Sequence, residues 1–209
     1  MRTNQAGIEL IKSFEGLRLE AYKDPGVGIW TIGYGHTSAA GHPAVTPGMK
    51  ITEFDAENIL ARDLAVFETA VENAVTVPLN GNQFSALTSF CYNVGSGAFR
   101  SSSVLKAVNE GRFDDVPARL SLWNKATVDG KKVELRGLTR RRKAEGALFM
   151  LDAMSVMVPR QPDDPGPVGY PPYDPDLDMR QPSRSPWGWL VGALIGAGAV
   201  LASKAAGWW

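Results

Sequence analysis

The chain has 209 residues, 44% of them hydrophobic, and its 22 basic residues balance 22 acidic ones. That length suits one domain with extensions rather than two full domains, and zero net charge gives no global reason to expect a nucleic-acid partner. The balance hides an asymmetry: residues 1–99 hold 6 basic and 10 acidic groups, whereas residues 100–158 hold 12 and 7. A basic second half is ordinarily a solvated face, with a surface for a polyanionic substrate as the alternative. Cys91 is the only cysteine, which excludes an intrachain disulfide framework. Beside apolar residues in SFCYNVG it reads as a small buried side chain. The opening MRTNQAGIELIKSFEG has no apolar run long enough for a secretory signal, so folding in a reducing cytoplasm is expected.

In chain order, Thr3 or Asn4 caps a first helix with Ile8, Ile11 and Phe14 on one face, and Gly16 weakens its continuation. WTIGYGHT is β-branched, aromatic and glycine-punctuated, which predicts a short strand or hairpin. Thr52 and Asp55 form a capping-box-like start to a helix over about 53–73 that buries Ile59, Leu60, Leu64, Phe67 and Val71. NGNQFSALTSFCYNVG is apolar enough to be a central helix. Shorter helices are expected around 103–109 and 114–124, and a last long one over about 139–157. There is no internal repeat.

Residues 1–158 therefore read as one globular domain. Residues 159–186 hold nine prolines in 28 residues and predict an extended linker, with a reach of up to roughly 85 Å at about 3.1 Å per residue. Residues 187–209 carry one charged side chain, Lys204. As a helix this segment spans about 34 Å, against a bilayer core of about 30 Å. Trp187 and Trp189 at one end and Trp208 and Trp209 at the other suit interfacial anchoring. The expectation is a transmembrane helix; a buried C-terminal helix is the alternative. Gly192 and Gly196 give the small-xxx-small spacing through which two such helices form a homodimer. Arg180 and Arg184 flank the span and favour a cytoplasmic domain by the positive-inside rule.

Two carboxylates stand out in FEGLRLEAYKDPGVGIWTIGYGHT. Glu15 lies at a helix end among Phe14, Leu17 and Leu19, where burial retains the proton a general acid needs. Asp24 lies in KDPG, a turn sequence that predicts an exposed, ionised carboxylate. Thr31 opens the strand, with a hydroxyl suited to holding a water beside Asp24. One protonated and one ionised carboxyl is the division of labour of a glycoside hydrolase. Spacing alone does not decide it, since a Glu and an Asp nine residues apart are usually surface groups.

These residues and their surroundings resemble the lysozymes of tailed bacteriophages, glycoside hydrolase family 24. That family's pattern is a Glu, eight residues, an Asp, usually five residues and a Thr, with TIGYGHT around it. Glu15 and Asp24 match in spacing; Thr31 matches in context, with one extra residue in DPGVGIWT. The resemblance continues through ITEFDAENILARDLAVFE, VPLNGNQFSALTSFCYNVGSGAF and LWNKA…GLTRRRKAEGALF, covering about residues 5–150.

The resemblance implies an α+β, lysozyme-like fold, with a small sheet lobe at about 16–50 and a larger helical lobe. It further implies hydrolysis, with inversion, of the β-1,4 bond between N-acetylmuramic acid and N-acetylglucosamine in peptidoglycan. Glu15 is then the acid, and Asp24 with Thr31 positions the water. By position Arg141 lies beside the acid and orients it; Arg140, Arg142 and Lys143 read as a solvated face. Tyr92 and Asn93 match an aromatic–polar pair lining the saccharide cleft, with core packing as the alternative for Tyr92, and Tyr34 joins them as a binding or orienting residue. Trp123 is read as core before sugar platform, and His36 as a structural hydrogen-bonding residue. No cofactor is expected, and two histidines and one cysteine make no metal cluster. The Gly33–Gly35 run lacks the lysine and helix of a phosphate loop. The alternatives are a lytic transglycosylase, against which Asp24 argues, and a weakly catalytic, membrane-tethered peptidoglycan-binding virion protein. A membrane-held enzyme made in the cytoplasm and acting on the wall is the location expected, for lysis or for entry.

Overall fold

Asn4, not Thr3, caps the first helix in the computed structural model, which describes residues 1–24, 28–128 and 131–151. Its side-chain oxygen accepts the Gly7 N–H, satisfying a donor the helix leaves open. Helix α1 (Gln5–Glu15) stops at Gly16, whose φ of 70° and bond to the Lys12 carbonyl make a glycine C-cap. Strand β1 (Arg18–Lys23) follows at once, so Glu15 stands at the junction of helix and sheet. Gly7 lets α1 approach its neighbour closely, because a Cβ there would lie 2.5 Å from Ser85 Cβ.

Strands β1, β2 (Trp30–Gly33) and β3 (His36–Thr37) form an antiparallel sheet in that order. Ala21, Ile32 and Val45 make its small core, flanked by Trp30, Met49 and Ile51. The loop returning from β3 ties back onto β1 through Ala21 N–H to the Met49 carbonyl and Ile51 N–H to the Leu19 carbonyl.

Thr52 and Asp55 form the expected capping box for α2 (Glu53–Ala74), whose 22 residues span about 33 Å. A second box, Asn80 with Gln83, starts α3 (Gly81–Val94). Twelve of the fourteen residues of α3 are buried, the mark of a helix covered on all sides. Against it pack α1, α2, α4 (Ser96–Arg100) and α7 (Arg136–Met150), with α5 (Ser103–Asn109) on α4 and α6 (Val116–Ser121), and α6 on α7. Phe84, Leu87, Phe90, Phe99, Leu120 and Phe149 belong to this larger core. A middle cluster of Ile11, Tyr34, Ala56, Leu60, Leu64 and Tyr92 draws on both lobes and joins them. Cys91 is fully buried, and burial pushes its thiol up to about 12, so it stays an apolar filler at neutral pH. Trp123 packs edge-on against Phe90, on the core side of its two readings.

The α+β architecture is the expected one, with three differences in detail. Helix α7 starts at Arg136 and ends at Met150, not at 157, because Leu151 is extended (φ −73°, ψ 125°). The helix expected over 114–124 is a 3-10 turn at Phe113–Asp115 followed by α6. An unanticipated antiparallel hairpin, β4 (Lys125–Val128) and β5 (Lys131–Glu134), precedes α7. Its signal was in the sequence: an Asp-Gly pair between two strand-compatible runs. Among the described residues no helix is long and apolar enough to cross a membrane. The linker at 159–186 and the span at 187–209, with its Gly192/Gly196 face, lie outside the described residues.

Candidate active site

Glu15, the last residue of α1, keeps a side chain only 5% exposed. Arg141 on α7, fully buried, donates from Nη1 to Glu15 Oε1 at 2.6 Å, a contact between residues 126 apart in sequence. Arg141 is fixed in turn by Nε to Glu145 Oε1 at 3.1 Å, Nη2 to the Ser89 carbonyl at 3.3 Å, and the Phe14 ring 5.7 Å away. Burial works against its charge, yet Glu15 and Glu145 outweigh that and hold it above its ordinary range. The other carboxylate oxygen of Glu15 lies beside the turn between β2 and β3. A Cβ built on Gly35 would sit 3.9 Å from Oε2 and 4.0 Å from the Tyr92 hydroxyl.

Asp24 is not the exposed turn carboxylate that its sequence context suggests: it is 4% exposed. The register explains why. Beyond the Lys23–Trp30 pair the hairpin continues by one step, with Asp24 N–H bonded to the Ile29 carbonyl at 2.9 Å. Gly28 N–H returns to the Asp24 carbonyl at 2.8 Å. Asp24 is thus the end of a ladder, not the tip of a loop.

Thr31, 6% exposed, is paired with Tyr22 across the sheet, so their side chains share a face. Asp24 follows Tyr22 by two residues and falls on that face too. The Thr31 hydroxyl donates to the Ile29 carbonyl at 3.3 Å. While it does so its lone pairs stay open. Tyr22, which the sequence reading passed over, is in electrostatic reach of both carboxylates. Burial first, then the charges of Asp24 and Glu15, push its phenol up against the opposing pull of Arg18.

Tyr92, Asn93 and Tyr34 do not line an open cleft. They are 5%, 2% and 4% exposed, because α3 is covered all round and Tyr34 lies in the cluster between the lobes. The Tyr92 hydroxyl donates to the Tyr34 carbonyl at 3.0 Å, and its ring packs edge-on against Phe67. Asn93 Oδ1 accepts from Arg142 Nη2 at 2.7 Å. These residues hold the wall behind Glu15. Arg142 also departs from expectation: with Arg141 it is buried, leaving only Arg140 and Lys143 of the basic run on the surface.

His36 is structural, as read. It is 1% exposed, with Nδ1 2.8 Å from Asp63 Oδ2 and Nε2 2.9 Å from the Pro43 carbonyl. Both partners accept, so the doubly protonated ring satisfies both, and this pairing raises the His36 pKa against the cost of burial. Among the described residues no group of three or more His, Cys, Asp or Glu side chains is placed to hold a metal.

This arrangement of a buried carboxyl at a helix end, an arginine across from it and a second carboxyl on a sheet has counterparts among known proteins. Residues 12–145 match the phage lysozyme family. The chain belongs to that family. It is 49% identical over 150 residues to an endolysin of Bacillus phage PZA, covering 71% of this chain and 55% of that one. It therefore spans about half the length of that relative. It spans 98% of an endolysin of Acyrthosiphon pisum secondary endosymbiont phage 1, at 41% identity over 71% of this chain. The solved muramidase domain of SpmX from Asticaccaulis excentricus superposes with a TM-score of 0.67 at 44% identity, over 72% of this chain and 99% of that one. What the sequence reading missed is the surroundings of Glu15 and Arg141: Gly35, Ser89, Arg142 and Glu145. Glu145 was readable in principle, four residues after Arg141 on one helical face.

Proposed function

We propose that this phage lysozyme domain hydrolyses the β-1,4 bond between N-acetylmuramic acid and N-acetylglucosamine in bacterial peptidoglycan. The observation that supports it best is the Glu15–Arg141 pair set beside a sheet face that bears Asp24 and Thr31. Glu15 protonates the leaving glycosidic oxygen, and Arg141 fixes which of its oxygens is turned toward the bond. Asp24 takes the proton of a water that Thr31 helps to hold, and that water attacks the anomeric carbon from the opposite face. The outcome is inversion, which needs carboxyl groups roughly 6.5–9.5 Å apart.

The test is clearing of purified cell walls by wild type, Glu15→Gln and Asp24→Asn. Loss of about 10²–10⁴-fold in rate is expected for each, and full activity in Glu15→Gln overturns the mechanism. Mass spectrometry of the fragments separates hydrolysis from transglycosylation, whose anhydro-sugar product is lighter by one water.

Residues 187–209 are proposed to tether the enzyme to a membrane through the proline-rich linker at 159–186, and Gly192 and Gly196 to let two tethers associate. Fractionation of full-length protein tests the tether: partition wholly into the soluble fraction ends it.

A further inference from the structure

Behind Glu15 the charges alternate in a buried row. Arg141 bonds Glu15 on one side and Glu145 on the other. Arg142 follows, with Nε 3.0 Å from Glu145 Oε2 and Nη2 3.2 Å from Oε1. The first of these is an ion pair by distance whose angle does not make a hydrogen bond, so Nε and Nη1 of Arg142 have no hydrogen-bond partner among the described residues. Arg141, Arg142 and Glu145 are each at most 1% exposed. Ser89 adds a hydroxyl to Glu145 Oε1 at 2.8 Å, and the Arg142 guanidinium stacks 4.9 Å from Phe90.

Arg142 does not touch Glu15, and burying a partly unsatisfied guanidinium is costly. Packing alone gives no reason for a cation here, since an apolar side chain would fill the space more cheaply. Charge gives one. Without Arg142 the row holds two carboxylates and one arginine, and both carboxylates compete for Arg141. Their protonation is then coupled, and Glu145 draws on the cation that Glu15 uses. With Arg142 present, Glu145 has its own counter-charge and the row is neutral. Burial and the neighbouring Arg141 pull Arg142 down to about 10 against the opposing Glu145, which leaves it charged at neutral pH.

We infer that Arg142 is a positioning residue that neutralises Glu145, reserves Arg141 for Glu15, and so sets the pH at which Glu15 gives up its proton. The catalytic meaning of that pH rests on the reading of Glu15 as the acid. The other titratable groups that feel the Glu15 charge are Tyr22 from the sheet and Tyr92 from α3; Asp24 acts on the same Tyr22, and Asp63, paired with His36, acts on the same Tyr92. None of them is altered by the substitutions below.

The experiment is a ¹³C-carboxyl NMR titration of Glu15, assigned through Glu15→Gln, beside the pH profile of kcat/KM on cell walls. Arg142→Met leaves the row one charge negative, and the Glu15 midpoint and the alkaline limb move up by about one unit. Glu145→Gln leaves it one charge positive, and both move down. The double variant returns both toward wild type, and Arg142→Lys keeps them near wild type even where thermal stability falls. Should Arg142→Met not fold, Glu145→Gln supplies the sign and Arg142→Lys the control. A Glu15 midpoint unmoved in folded Glu145→Gln, or moved the same way by both single substitutions, overturns the inference. The NMR shifts without wall hydrolysis at any pH uphold the charge arrangement and sink the lysozyme reading alone.

Discussion

Asp24 and Thr31 share one acceptor, the carbonyl oxygen of Ile29, which takes the Asp24 N–H at 2.9 Å and the Thr31 hydroxyl at 3.3 Å. The longer turn thus leaves the Asp24 main chain and the Thr31 side chain on one main-chain atom. On the proposed mechanism, a Thr31 hydroxyl donating there meets the water as an acceptor. Thr31→Ser keeps that arrangement and is expected to retain most activity. Thr31→Val keeps the shape but leaves the water short of one partner, and should lose about 10- to 100-fold in kcat, the equivalent of about 1.4–2.7 kcal/mol. Steady-state rates on solubilised peptidoglycan compare the two. Equal activity of the Val and Ser variants would remove Thr31 from the mechanism.

The Glu15–Arg141 pair is a stability element as well as a site element. Arg141→Met leaves Glu15 and Glu145 buried without their shared cation, and breaking such a pair by removing one partner costs about 3–5 kcal/mol. Urea unfolding at pH 7 measures it. The variant Arg141→Met with Glu15→Gln removes the stranded charge and should regain part of the loss, which separates the penalty of an unpaired carboxylate from simple loss of packing.

The division between what was legible in the sequence and what was not follows the range of the interactions. Helix starts at Thr52 and Asn80 are written in residues three apart, and both capping boxes form. The order Glu15, Asp24, Thr31 is local too. The burial of Asp24 was not legible, because KDPG has the composition of an exposed turn and only the pairing register shows that Asp24 ends a ladder. Core packing stood as the alternative for Tyr92, but the inward turn of Asn93 was not legible, because it depends on helices distant in sequence closing over α3. The basic run at 140–143 shows the limit most plainly. The burial of Arg141 and Arg142 between exposed Arg140 and Lys143 follows from the rotation of α7, and the four side chains look alike until Glu145 and Ser89 are seen to claim two of them.

Gly7 marks where α1 lies closest to α3. A methyl group there would stand 2.5 Å from Ser85 Cβ and 2.8 Å from Thr3 Cγ2, closer than carbon atoms approach. Gly7→Ala is expected to destabilise by about 1–3 kcal/mol through overpacking, although alanine favours the helix by roughly 1 kcal/mol in an exposed position. Because Glu15 ends the same helix, a forced shift of α1 also moves Glu15. Activity should fall further than the unfolded fraction accounts for, and thermal denaturation with rates measured well below the midpoint tests that.

The His36–Asp63 pair gives the fold a pH dependence separate from catalysis. Burial of His36 opposes its charge, but the Asp63 carboxylate and the Pro43 carbonyl raise its pKa above the ordinary value. A histidine whose folded value is raised contributes stability that is complete below its unfolded pKa, about 6.5, and is lost as pH rises through the folded value. The pair links β3 to α2, so its loss loosens the small lobe against the long helix. Unfolding free energies of wild type and His36→Gln should differ most near pH 6 and converge above the folded pKa. The link needs the Asp63 side chain as well, so Asp63→Asn should show the same convergence from the other partner. A gap between wild type and either variant that stays constant from pH 6 to 9 would mean that shape, not charge, is what His36 supplies.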